Sequence, residues 1–257
     1  MTEQGVSRML RGLLGEEERL RRKAELIVAR DVKLQLHLSA IENAMNVAYV
    51  LRQYPTDDED IKVIQMLGMR MFNAFGAGTR LRLSGYSQNS ALIMRDILET
   101  VFLLDLFQGN MAAIERWRIA DRRERMREFS PLRVREALDA RDGFKGKKRA
   151  EIYEFLSELA AHPTMKSVFM MRPQQGGDAV IGPFIEPATL EAVLAEFGRL
   201  AIQAGETLDH FFPETWDYAL PAREEFAEVK LQWILEFYTA SEAENSVSAS
   251  DANVTKV

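Results

Sequence analysis

Apolar residues recur along this chain with a helical period almost from end to end, and runs of alternating β-branched residues are missing. The period therefore predicts an all-α protein, because a half-buried strand needs a two-residue repeat. Leu20, Ala24, Ile27, Leu34, Leu38, Ile41, Met45 and Ala48 form one stripe, which predicts a long first helix from Glu16 to Gln53, ended by Pro55. Thr56-x-x-Glu59 reads as a capping box for the second helix, and Asp57, Asp58 and Asp60 add negative charge where a helix N-terminus favours it. That helix carries Met66, Met69, Phe72 and Phe75 to about Leu83, where Ser84-Gly85 breaks the pattern.

A strongly apolar third helix spans Gly85 to Phe107 and is closed by Gly109-Asn110. Two basic helices follow, divided at Ser130-Pro131, where an N-cap precedes a proline whose missing N–H does no harm. Gly143 to Gly146 is the next break. A helix over about Lys147 to Ala161 ends at His162, since the residue before a proline is biased away from the α region. A short apolar element is expected around Met165 to Met171, then a loop from Arg172 to Pro187 with a brief extended piece at Ala179 to Ile181. Leu190, Val193, Leu194, Phe197, Leu200, Ala201 and Ala204 mark an amphipathic helix, and Phe226, Val229, Trp233 and Phe237 the last one. The expected architecture is an antiparallel helical bundle, one domain over residues 1–240, followed by a polar disordered tail over 241–257.

At 257 residues and 47% hydrophobic content the chain can bury a full core. It has no cysteine, which excludes disulfides, thiolate metal sites and a cysteine nucleophile, and fits a reducing compartment. Met1 to Gly15 lacks the continuous apolar stretch of a secretory leader, and no run approaches the roughly 18 residues of a membrane span. The expectation is a cytoplasmic protein with no membrane partner.

Charge distribution adds more than net charge. Residues 115–149 hold 13 Lys and Arg against 7 Asp and Glu, a local +6, which leaves −12 for the rest of a chain whose net is −6. Arg116, Arg118, Arg122, Arg123, Arg125 and Arg127, continued by Arg133, Arg135 and the Lys145 to Arg149 cluster, with Trp117, Phe129 and Phe144 as stacking groups, form a candidate footprint for RNA or DNA. The interleaved Asp121, Glu124, Glu128 and Glu136 support the plainer alternative of a solvated, salt-bridged face.

Candidate chemistry is confined to two places. On the third helix Arg95 and Glu99 lie one turn apart among Leu92, Phe102 and Leu106, and a later helix ends Tyr153-x3-Ser157-x4-His162-Pro163-Thr164. The expected polar pocket is Arg95, Glu99, Tyr153, Ser157 and His162, with Arg95, Glu99 and His162 as the catalytic candidates because an imidazole aimed beside them can do acid/base work. The bland alternatives are an exposed i,i+4 pair worth about 0.2–0.5 kcal/mol and a histidine favoured by a helix dipole. No metal or cofactor is expected. His37, His162 and His210 share no ligand spacing, Glu206 and His210 are four apart, and Gly143-Phe-Lys-Gly-Lys-Lys lacks the frame of a phosphate loop.

Taken as an ordered set, Gly85-x9-Arg95-x3-Glu99, Tyr153-x3-Ser157-x4-His162-Pro163-Thr164 and Gly182-Pro183-Phe184 resemble a functionally unassigned group of bacterial helical proteins related to HEPN (higher eukaryotes and prokaryotes nucleotide-binding) domains. The resemblance covers roughly Gly85 to Pro183. It implies a HEPN-like bundle at the centre of the chain, with Arg95, Glu99 and His162 meeting in a polar pocket. The expected function is an interaction or regulatory module, homodimeric, that engages nucleic acid or a nucleotide. Two alternatives stay open, a metal-independent ribonuclease and a purely structural partner-binding bundle. Catalytic HEPN proteins carry an arginine shortly before their histidine, and this chain departs from that at His162, where the upstream positions are Phe155, Leu156 and Ser157. Arg30-Asp31-x5-His37 does match, and its spacing puts both side chains on one face of the expected first helix.

Overall fold

A computed structural model of the chain describes residues 7–173 and 177–239, and among them the regular structure is entirely helical. The expected disordered tail over 241–257 lies outside the described residues. The all-α bundle is what the periodicity demanded, with two changes near its start.

The expected first helix is two helices, α1 (Arg8–Val28) and α2 (Val32–Leu51). Asp31 causes the break. Its backbone is extended and its carboxylate accepts the N–H groups of Lys33 and Leu34, satisfying donors that only a helix start leaves free. The apolar stripe is buried on both sides, at Leu20 and Ala24 before and at Leu34 and Ile41 after, so periodicity runs straight through the interruption. The second change is the cap of α3 (Glu59–Leu83). Asp58 is the N-cap, accepting from Asp60 and Ile61, while the Thr56 hydroxyl stands two residues outside and accepts from the Asp58 N–H, so the Thr56–Glu59 box does not form.

Helix α4 (Ser87–Gly109) follows α3 after a turn of residues 84–86, and the two long helices pack along one another, which makes them antiparallel. Gly85 makes the turn possible. Its φ is +97°, and a Cβ there would sit 2.7 Å from the Phe184 nitrogen, whose N–H donates to the Gly85 carbonyl. The loop that precedes α10 (Pro187–Asp209) is thereby stapled to the α3–α4 corner.

Between them lies a flank of short helices, α5 (Ala112–Ile119), α6 (Arg122–Glu128), α7 (Pro131–Asp142), α8 (Lys148–Leu156) and α9 (Met165–Phe169). The end of α8 widens into a π turn over Ser157–Ala161 before His162 becomes extended. The expected extended piece at 179–181 forms no strand; Val180 donates a single bond to the Met171 carbonyl. A 3₁₀ turn, Asp217–Ala219, leads into α11 (Leu220–Ile234), which also ends in a π turn, Leu235–Thr239.

The core sits where α2, α3, α4 and α10 meet, with α11 laid on α2. Leu51, Ile64, Met71, Phe75, Ile97, Leu98, Phe107 and Phe197 are fully removed from solvent there. Leu20, Ala24, Val28, Leu34, Ile185, Leu190 and Leu194 form a satellite cluster that holds α1. One cation is buried beside it. Arg82 donates to the Ser87 hydroxyl, and burial pulls its guanidinium down to about 10 against the opposing charge of Glu186, the N-cap of α10.

His37 belongs to the core. It is 3% exposed, accepts the indole N–H of Trp233 at 2.9 Å and stacks on Phe237 with ring centroids 4.3 Å apart. Burial, with Arg199 nearby, lowers its pKa to about 4. Arg30 stands exposed in the break before α2, so the expected one-face pairing of Arg30 with His37 is not formed.

Candidate functional site

Arg95 meets both Glu99 and Tyr153. The Arg95 guanidinium lies 3.2 Å from the Glu99 carboxylate, donates to the Tyr153 hydroxyl and sits 4.8 Å from the centre of its ring. Helix α4 supplies the ion pair on its half-buried side, and α8 brings the tyrosine across to it. A fourth member, Arg135 of α7, was not evident from sequence. It is only 7% exposed and stacks on the same ring at 3.9 Å. The signal for it was available, since Arg135 stands beside Val134 and one turn from Leu138, both buried, and therefore on the inward side of its helix. The Arg95 Nε and the Arg135 Nε and Nη1 are buried with no hydrogen-bond partner among the described residues. Two cations and one carboxylate around a phenol form a clamp that joins α4, α7 and α8.

Ser157 and His162 do not complete the expected pocket. The Ser157 hydroxyl is buried and turned back onto the Tyr153 carbonyl at 2.7 Å, a bond that competes with the regular helix ladder where the π turn begins. His162 is exposed, and its ring makes no hydrogen bond or ion pair among the described residues; its backbone N–H donates to the Ser157 carbonyl. The π turn ends the helix before the imidazole is directed inward. His210 is also exposed, its ring against the Glu206 carbonyl at 3.0 Å. The three imidazoles thus occupy three separate environments.

The six arginines from Arg116 to Arg127 are all exposed, but most are engaged. Arg118 pairs with Asp60 of α3 at 3.0 Å, Arg127 with Glu128 at 2.8 Å, and Arg116 reaches Glu128 at 4.0 Å. Arg125 donates to the Ala120 carbonyl and lies over the Trp117 ring. Trp117 and Phe129, the expected stacking groups, turn inward onto Phe107. Arg122 and Arg123 have no partner among the described residues.

A cavity of about 890 Å³ lies between α4, α8, α10 and the loop after α7. Its size is that of an ordinary small-molecule site. Met94, Leu98, Val101, Ile152, Leu156 and Leu200 make a largely aliphatic floor, to which Phe102 adds one ring. Its rim carries Asp105, Asp139 and Glu196, and each already has an arginine: Arg141 at 2.9 Å, Arg149 at 2.6 Å and Arg199 at 2.7 Å. Arg149 also grips Asp142, whose carboxyl the Arg141 and Arg149 guanidinium groups hold down to about 2. Lys145 and Lys148 complete the rim, exposed and without a carboxylate partner among the described residues. Gly143 aims that loop. In the left-handed conformation it ends α7, and the next N–H, of Phe144, returns to the Asp139 carbonyl at 3.0 Å.

No group of three His, Asp or Glu side chains able to hold a metal ion occurs among the described residues, and no helix among them is long and apolar enough to cross a membrane. Protein-family models, curated proteins and solved structures provide no match to this chain.

Proposed function

We propose that the protein is a non-catalytic interaction or regulatory module, HEPN-related in its centre, that responds to a small anionic ligand held in the cavity between α4, α8 and α10. One observation carries this reading. The rim's carboxylates are all engaged by arginines, which leaves Lys145 and Lys148 without a carboxylate partner among the described residues, over an apolar hollow. Against acid/base chemistry stand the placements of the imidazoles, since His37 is stacked in the core and His162 and His210 face solvent away from any paired base or nucleophile. The same placements weigh against a ribonuclease.

Calorimetric titration of the full chain with ATP and, separately, with decanoate tests the proposal. Saturable one-site binding of at least one of them is expected, weakened at least tenfold in Lys145→Glu/Lys148→Glu. Absence of binding by both ends the reading.

A second reading, RNA at the α5–α6 corner, is favoured by Arg122 and Arg123, the two unpaired cations there. It requires anisotropy of labelled single-stranded RNA to fall steeply with salt and to vanish in Arg122→Glu/Arg123→Glu. Homodimerisation belongs to the proposal through α1, where Met9, Leu10 and Leu14 are exposed on the side that Leu20, Ala24 and Val28 bury further along. Sedimentation of Leu10→Glu/Leu14→Glu as monomer, against a wild-type dimer, is the expected result.

A further inference from the structure

Resting on that ligand-binding reading, we infer that the occupant of the cavity is an aliphatic chain bearing a single anionic head, a medium-length acyl carboxylate in its simplest form, and that it is not a nucleotide. The floor is the first ground. Met94, Leu98, Val101, Leu156 and Leu200 are aliphatic and nearly or wholly buried, and of the lining's two rings Phe102 belongs to α4 and Phe144 to the loop after α7. Phe144, at the mouth, already has the Arg149 guanidinium over its face at 5.1 Å. The inner polar groups are few as well. The Thr207 hydroxyl donates its hydrogen to the Gln203 carbonyl at 2.8 Å, so the Gln203 amide is left to answer a base's donors and acceptors. A base seated here would lose hydrogen bonds to water and regain few, whereas a hydrocarbon chain gives up none.

Charge is the second ground. Arg141, Arg149 and Arg199 face the four carboxylates Asp105, Asp139, Asp142 and Glu196, so with Lys145 and Lys148 the mouth has one surplus positive charge, which a head of a single negative charge matches. A triphosphate brings more charge than that surplus neutralises and sets the excess beside Asp105, Asp139 and Glu196, where like charges repel. Lys145 lies in the loop after α7 and Lys148 opens α8, so the head would sit at the mouth while the chain runs inward over Ile152 toward Leu98 and Leu200.

Titrating the full-length protein with octanoate, decanoate, decyl phosphate, decanol and ATP tests this. Decanoate should bind one site, tighter than octanoate by about fourfold for each added methylene. Decyl phosphate should bind as well as decanoate or better, which would separate a requirement for any anionic head from one for carboxylate. Decanol, lacking charge, should be at least tenfold weaker, and ATP should not bind. Lys145→Glu/Lys148→Glu changes exposed residues only, and should bring decanoate down to the affinity of decanol. Ile152→Trp fills the floor from a half-buried position and should abolish chain binding. Binding of ATP without decanoate would overturn this inference and leave the anion-binding reading standing. No binding by any of these probes would overturn both. Decanoate binding untouched by both variants would place the chain elsewhere and overturn the site.

Discussion

The central bundle of α2, α3, α4 and α10 and the flank of α5 to α8 are both helical, yet they are held by different forces. The bundle buries large apolar side chains completely, Phe75, Phe107 and Phe197 among them, and uses close backbone approach to do so. In the flank α6 buries no residue at all, and the neighbouring helices are tied by arginines to carboxylates, Arg118 to Asp60, Arg141 to Asp105 and Arg149 to Asp139. Burial of a large apolar side chain is worth a few kcal/mol, about 1.5–3, whereas an exposed ion pair is worth about 0–1. Stability should therefore reside in the bundle, while the flank sets geometry. The cavity opens along the seam where the two meet, with its floor from the bundle and α8 and its free lysines from the flank.

The sharpest way to break this contrast is Phe197→Ala. The ring is wholly buried against Phe75, and its loss should cost about 3–5 kcal/mol in urea unfolding. A loss below about 1 kcal/mol would mean that the bundle does not dominate. Next comes acid. His37 is depressed to about 4 in the fold from an ordinary 6.5, so the unfolded chain takes up its proton first. Its contribution is intact above about 6.5, declines as pH falls from there to about 4 and then levels off, amounting to roughly 3 kcal/mol. His37→Gln should flatten the slope over that window, and a parallel decline in the variant would assign it to other groups. On the flank, Arg149→Ala removes the ties to Asp139 and Asp142 and should cost about 1 kcal/mol while loosening the loop that carries Lys145. The smallest effect is expected at Arg133→Ala, whose exposed pair with Glu136 should contribute less than about 0.5 kcal/mol to the unfolding midpoint.

Legibility in the sequence follows the same division. The bundle helices were readable because burial imposes a period, and the boundaries at Leu83, Ser130-Pro131 and His162 fall where glycine or proline chemistry put them. Asp31 escaped notice because a cap can interrupt a helix without shifting the apolar stripe, and Asp58 displaced Thr56 because three acids and a hydroxyl competed for one cap. Arg95, Glu99 and Tyr153 were readable as polar positions at helical spacing in apolar sequence. A regular helix to Ala161 would bring His162 to them, and the π turn over Ser157–Ala161 replaces that regular end. The cavity was invisible for a topological reason. Leu98, Ile152 and Leu200 each read as ordinary core, and only the folded chain shows that the elements bearing them stand apart.

The contact between Trp233 and His37 gives the protein an optical reporter of its own. An indole that donates to a neutral imidazole will lose that acceptor when the ring takes up a proton, and a charged imidazolium in van der Waals contact quenches indole emission. Trp117 and Trp216 pack against other rings, Phe107 and Phe212, so a Trp117→Phe/Trp216→Phe variant would isolate the signal. Its fluorescence would then report the packing of α11 on α2 as the chain folds and unfolds, without any attached dye.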